Sequence, residues 1–147
     1  MLDEQVWTYS ELIMQVERVV YQLHHLGVVQ GQIIYQFVER SFEMICGFFG
    51  IMYIGGVYCP LDPTIPSERL NILLEQMRGQ FVLVHEKTRN QFPIAAVQHV
   101  IVLDNILLPL LDIEDINSLS VSMKYDAAFI IFTSGTTGPP KAVVHTH

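Results

Sequence analysis

A chain of 147 residues, half of them apolar, can bury a core, which excludes general disorder. Its formal charge of −7 argues against nucleic acid or an anionic membrane surface as a partner, since both repel an acidic approach. Cys46 and Cys59 are too few and too isolated for a disulfide framework or a CxxC pair, so a reducing, cytoplasmic setting is expected.

The start, Met1-Leu2-Asp3-Glu4, lacks the basic flank and apolar run of a signal peptide. Thr8 with Glu11 three residues on reads as a capping box. Leu12, Ile13, Val16, Val19, Val20, Leu23 and Leu26 follow at steps of three and four, predicting an amphipathic helix. Gly27 is placed to end it in a left-handed turn, Gly31 marks the next turn, and Ile33 to Val38 reads as an apolar strand. Ser41 caps a second helix to about Tyr53, with Glu43 favourable to its dipole. This helix is apolar on nearly all sides. Gly47 and Gly50 within it predict close approach to a neighbouring element.

Gly55-Gly56 breaks the pattern before a strand from Val57 to Cys59, and Pro60-Leu61-Asp62-Pro63 forms a stiff turn. Met44 to Leu61 carries no charge and approaches the length of a membrane span. The glycines and Pro60 divide it, so it reads as a buried helix and a buried strand. Pro66 suits the first turn of a third helix to about Met77. Phe81 to Val84 is a strand, a polar loop follows, and Val100 to Leu103 is another strand. Asp104 to Lys124 reads as irregular surface, and Ala127 to Thr133 as a last apolar strand. Strands alternating with helices predict an α/β fold with a largely parallel sheet and flanking helices, in one domain or part of one.

Chemistry concentrates in Thr133-Ser134-Gly135-Thr136-Thr137-Gly138-Pro139-Pro140-Lys141. Two glycines let the backbone close on a ligand, and successive N–H groups in such a turn suit phosphate oxygens. Ser134, Thr136 and Thr137 add hydroxyls. Lys141 adds a full charge, the only formal one between Ala127 and His147. The spacing is not that of a Walker loop, and no G-x-G-x-x-G occurs in the chain. Ala142-Val143-Val144 is β-prone, so strand, loop, strand is expected. Composition of the nine residues alone leaves an ordinary polar surface turn equally open.

TSGTTGPPK closely resembles the phosphate-binding signature of the AMP-binding, adenylate-forming superfamily, which includes acyl-CoA synthetases, luciferases and peptide synthetase adenylation domains. Three upstream runs support it in the right order. Trp7-Thr8-Tyr9-Ser10-Glu11-Leu12 is similar to the T-Y-x-E-L opening, and Glu39-Arg40-Ser41-Phe42-Glu43-Met44 to E-R-S-x-E-M. Gly55-Gly56-Val57-Tyr58-Cys59-Pro60-Leu61-Asp62-Pro63, with Pro66 and Glu68-Arg69-Leu70, resembles the G-G-A-Y-x-P-L-D-P…P-x-E-R-L run of peptide synthetase domains. The resemblance spans about Val6 to His147.

It implies the incomplete N-terminal part of the adenylate-forming fold, with residues 1–147 a partial AMP-binding domain ending just after the phosphate loop. It also implies ATP and Mg2+ as cofactors and a carboxylic acid, by preference an amino acid, as substrate. The acid would be activated as acyl-AMP for the phosphopantetheine thiol of a carrier protein domain. By position Thr133, Ser134, Gly135, Thr136, Thr137, Gly138 and Lys141 would hold the triphosphate. The family's adenine, acid, magnesium and adenylation-lysine residues lie further along. No catalytic residue is therefore expected in this chain, and alone it is expected to be inactive. The alternatives are a fragment of an acyl-CoA synthetase, or a catalytically inactive remnant serving as an interaction module. Ala142 stands where the family has glycine, Tyr53 where it commonly has lysine, and Phe129 and Phe132 where tyrosines are frequent.

His145 and His147 would share one face of an extended strand, but no third ligand has the spacing for zinc. His24 and His25 are expected at the surface, and Asp62 as a turn former. Neither nucleic acid nor a membrane is an expected partner. After fractionation of expressing cells, the chain should leave with the soluble proteins. Retention in carbonate-washed membranes would show that the uncharged stretch is a span after all.

Overall fold

The computed structural model describes residues 6–106, 127–133 and 141–146. The capping box forms as expected. The Thr8 hydroxyl oxygen accepts the Glu11 N–H at 3.2 Å, and Glu11 Oε2 accepts the Thr8 N–H at 2.7 Å. A cap of this kind is worth about 1 kcal/mol. Helix α1, Tyr9–His25, follows, and Gly27 at φ 79° turns the chain out of it. His24 and His25 are exposed.

Strand β1 is Ile33–Phe37, and α2 is Phe42–Tyr53 with the Ser41 hydroxyl oxygen accepting the Met44 N–H at 3.2 Å. Strand β2 is Val57–Pro60, α3 Ser67–Met77 and β3 Phe81–Val84. Pro66 is the N-cap of α3, one place earlier than its expected first-turn position. The predicted polar loop after β3 contains a helical turn, α4, Glu86–Arg89, and a 3-10 turn, Ile94–Ala96. Strand β4 is His99–Val102, one residue earlier than expected. Leu103–Ile106 forms a short α5, where Leu103 is predicted in the strand and irregular surface from Asp104, and Leu103 is buried. The rest of that segment, 107–126, lies outside the described residues. Strand β5 is Ala127–Thr133 and β6 is Lys141–Thr146.

The six strands form one sheet in the order β4-β3-β1-β2-β5-β6. The first five are parallel neighbours, and β6 runs antiparallel to β5. Alternate residues of each strand enter opposite cores. On one face Ile34, Phe81, Leu83 and Ile101 meet Val19 and Leu23 of α1 and Cys46 and Ile51 of α2. On the other, Tyr35, Phe37, Val57, Cys59, Val82 and Val84 meet Leu70, Leu73 and Leu74 of α3 and Phe92. This is the predicted α/β architecture, a mostly parallel sheet with flanking helices. Among the described residues no helix is long and apolar enough to cross a membrane.

Both helical glycines of α2 mark close approaches. A Cβ at Gly47 would lie 2.5 Å from Gln36 Oε1, and one at Gly50 would lie 2.5 Å from Val19 Cγ1 and 2.8 Å from Val19 Cβ. A rotamer change moves Cγ1, but Cβ is fixed to the α1 backbone. Gly50→Ala therefore forces α1 and α2 apart. Overpacking costs about 1–3 kcal/mol, against a helix-propensity gain of about 1 kcal/mol. The variant should unfold at lower denaturant concentration with an unchanged slope. An unshifted or higher midpoint would show that the helices are not in contact here.

Candidate functional site at the carboxyl end of the sheet

Because β1 to β5 are parallel, Phe37, Pro60, Val84, Val102 and Thr133 all end on one side of the sheet. In open α/β sheets ligands bind at this carboxyl side. The β5–β6 register pairs Phe129 with His145, Ile131 with Val143 and Thr133 with Lys141. The Phe129 and His145 rings stack with centroids 4.8 Å apart. Ser134 to Pro140 lie outside the described residues, so the structure fixes the two ends of the expected phosphate loop. Thr133 and Lys141 are paired residues of adjacent strands at the carboxyl end. The two expected strands are therefore found, β5 ending at Thr133 and β6 beginning at Lys141, and they run antiparallel.

Beside β5, the turns after β1 and β2 enclose a cleft of about 440 Å³, lined by Gln36, Arg40, Met44, Tyr58, Asp62 and Thr64 among others. A larger groove of about 830 Å³ lies near Arg78, Gln80 and Gln98, at the amino ends of β3 and β4. Its position on the wrong side of a parallel sheet makes the smaller cleft the better candidate. The Gln36 amide donates to the Met44 carbonyl at 2.9 Å, while Gln36 Oε1 is buried without a partner. Asp62 is the expected turn former: its Oδ1 accepts the Thr64 N–H and the Thr64 hydroxyl, each at 2.8 Å. The Thr64 N–H, then the Thr64 hydroxyl, holds the Asp62 carboxyl below its ordinary pKa, with a smaller contribution from the Arg40 charge. Burial pushes the Tyr58 phenol up to about 12, so it stays neutral at physiological pH.

The neighbouring strand ends are tied together by groups that sequence reading does not single out. The Thr88 hydroxyl donates to the Phe37 carbonyl at 2.8 Å, joining α4 to the end of β1. His85 is buried, its Nε2 3.5 Å from Ser41 Oγ and 3.9 Å from Glu43 Oε2. Lys87 pairs with Glu39. Local patterns cannot announce such contacts, because each joins segments more than forty residues apart. Among the described residues no three His, Cys, Asp or Glu side chains cluster as a metal site would require. His145 is exposed on β6, and His147 lies outside the described residues.

A model of the family described as "AMP-binding enzyme" matches residues 1–147. The chain belongs to this family. It is 36% identical over 150 residues to gramicidin S synthase 2 of Brevibacillus brevis, across 99% of this chain and 3% of that protein. A nonribosomal peptide synthetase structure, FmoA3, superposes with a TM-score of 0.78 at 27% identity, over 100% of this chain and 15% of that one. The N-terminal domain of FACL13 from Mycobacterium tuberculosis gives 0.79 at 26%, over 95% of this chain and 37% of that one. The chain thus spans a small part of the relatives it matches. The family read from the motifs stands, as does its peptide-synthetase-like character. The six-stranded sheet and its helices match the N-terminal part of adenylate-forming enzymes.

Neither cysteine offers a thiol for acyl transfer. Cys46 and Cys59 are fully buried, and each thiol is pushed up to about 12, chiefly by burial. The folded chain should resist iodoacetamide at pH 8 and alkylate at both positions in denaturant. Rapid labelling of the folded chain would contradict this packing.

Proposed function

We propose that residues 1–147 are part of an adenylation domain of the peptide synthetase type. Their role is to grip the phosphates of ATP while a carboxylic acid, by preference an amino acid, becomes an acyl adenylate. The observation that supports the reading is that Thr133 and Lys141, the first and last residues of TSGTTGPPK, are paired on β5 and β6 at the carboxyl side of a mostly parallel sheet.

The acid's carboxylate oxygen attacks the α-phosphorus, the bond to the bridging oxygen breaks, and pyrophosphate departs with the electron pair. Thr133, Ser134, Gly135, Thr136, Thr137, Gly138 and Lys141 stabilise the charge accumulating on the departing oxygens, which is positioning and electrostatics. Magnesium would accompany the nucleotide. The acyl group would then pass to the phosphopantetheine thiol of a carrier domain, an assignment that rests on the G-G-x-Y-x-P-L-D-P run and the synthase relatives.

Holding both reactants in register can supply about 7–11 kcal/mol of a barrier. A segment that grips one end of one reactant cannot. The purified chain, given ATP, magnesium and a panel of amino and fatty acids, should therefore show no acid-dependent pyrophosphate exchange, but weak, salt-sensitive ATP binding. Lys141→Ala should weaken that binding by about ten- to a hundredfold, the scale of one charge-assisted hydrogen bond. Unchanged ATP affinity in this variant would remove Lys141 from the phosphate site and with it the reading of the loop.

A further inference from the structure

The amino side of the sheet carries the groove of about 830 Å³, which the nucleotide reading leaves unused. A smaller space of about 230 Å³ adjoins it, and Arg78, Gly79 and Gln80 line both. Together they run from Gln98 before β4, past Gln80 before β3, to Gln32 before β1. These strands are neighbours in the sheet. The run therefore covers two strand spacings, about 10 Å, or about three residues of extended chain.

Arg78, shared by the two spaces, holds a backbone shape that arginine does not favour. Among the described residues it alone, glycine apart, has a positive φ, 51°. A Cβ crowds the following carbonyl there, and helices commonly end on glycine at such a place. The Tyr35 ring, 2.6 Å from a Cβ at Gly79, explains the glycine at 79 but not the arginine at 78. Strain kept where glycine would relieve it points to a use for the side chain. That side chain is exposed and makes no hydrogen bond or ion pair among the described residues.

The groove around this guanidinium suits a peptide. Carboxamides of Asn71, Gln80 and Gln98, and of Gln32 beyond, offer donors and acceptors together, as a peptide backbone requires. Gln32 Nε2 and Gln80 Oε1 are 3.4 Å apart, which links the two spaces by a long hydrogen bond. Leu74 and Val97 add apolar surface. A guanidinium grips a carboxylate at two points. Glu75 lines the same groove one turn before Arg78, and its charge opposes a polyphosphate, so a single carboxylate is the better match. We propose that this groove binds an extended peptide segment, with an acidic side chain on Arg78 and the peptide backbone along the carboxamides.

The test is an NMR titration of the isotope-labelled 147-residue chain with a blocked alanine pentapeptide bearing a central glutamate. Its glutamine-centred counterpart and inorganic phosphate are the comparisons. Amide signals of Gln32, Gly79, Gln80 and Gln98 should move with the glutamate peptide, at an affinity about ten- to a hundredfold above that of the glutamine peptide. Arg78→Gly should erase this preference and yet raise the denaturant midpoint, because glycine accepts the left-handed backbone. Arg78→Lys should keep part of the preference. Unmoved signals at these residues would overturn the proposal. Equal binding of the two peptides, or of phosphate and the glutamate peptide, would do the same, as would the parental preference in Arg78→Gly. A lowered midpoint in that variant would also sink it, by showing that the arginine serves the fold.

Discussion

Strand β1 is buried on both faces and hydrogen-bonded on both edges, and the other elements take their places around that constraint. Every residue from Ile34 to Phe37 is buried, including Tyr35 and Gln36. Neighbours β2 and β3 supply partners on its two sides. Parallel neighbours cannot be joined by a tight turn, so each crossover must cover a face of the sheet. Helix α2 covers one face between β1 and β2, and α3 the other between β2 and β3. The polar groups forced inside by this arrangement have matched sites. The Tyr35 hydroxyl oxygen accepts the Gly79 N–H at 2.8 Å, and a Cβ at Gly79 would lie 2.6 Å from the Tyr35 ring. Arg78 accordingly takes the left-handed cap of α3, φ 51°, leaving Gly79 as the position without a side chain.

The same parallel order fixes where chemistry can occur. The carboxyl ends of β1, β2 and β5 lie side by side, so segments far apart in the chain meet without any of them leaving its own strand. The turn after β2 is stiffened by Pro60, Pro63 and Pro66 and by the Asp62–Thr64 hydrogen bonds. The turn after β1 is held by the Ser41 cap and by Thr88 at the Phe37 carbonyl. Rigid rims lose little conformational freedom when a ligand settles between them.

What could be read from the sequence was local. Thr8 and Glu11 lie within one turn, so the start of α1 is written in two side chains. Gly27 and Ser41 act within a residue or two of the boundaries they set. The glycines of α2 implied a close neighbour, although not which one: Val19 against Gly50 and Gln36 against Gly47 are tertiary facts. Helix α4 escaped because four residues carry no usable periodicity. It is held by the Thr88 hydroxyl, which accepts the His85 N–H at 3.0 Å and donates to Phe37. The cleft escaped for the same reason. Arg40 and Asp62 belonged to motif runs, but that they border one space follows from β1 and β2 being adjacent and in register. Leu61 N–H bonding the Gln36 carbonyl at 2.9 Å extends that pairing to the edge of the cleft.

Strand β6 bears on the phosphate-binding role proposed for the segment before it. Had a helix stood in the place of β6, its dipole could face a bound anion and a lysine would be supplementary. Instead β6 runs antiparallel to β5, with Lys141 in register with Thr133. In the proposed phosphate-binding role, anion stabilisation would rest on backbone N–H groups, on hydroxyls and on the Lys141 charge. The composition of the segment fits that proposed role: four hydroxyl residues, Thr133, Ser134, Thr136 and Thr137, are interleaved with two glycines and followed by two prolines. Hydroxyls can donate to phosphate oxygens at many angles, and the prolines reduce the freedom lost on binding. A net charge of −7 over the whole chain makes the local placement of each cation matter more, since no general field draws phosphate in.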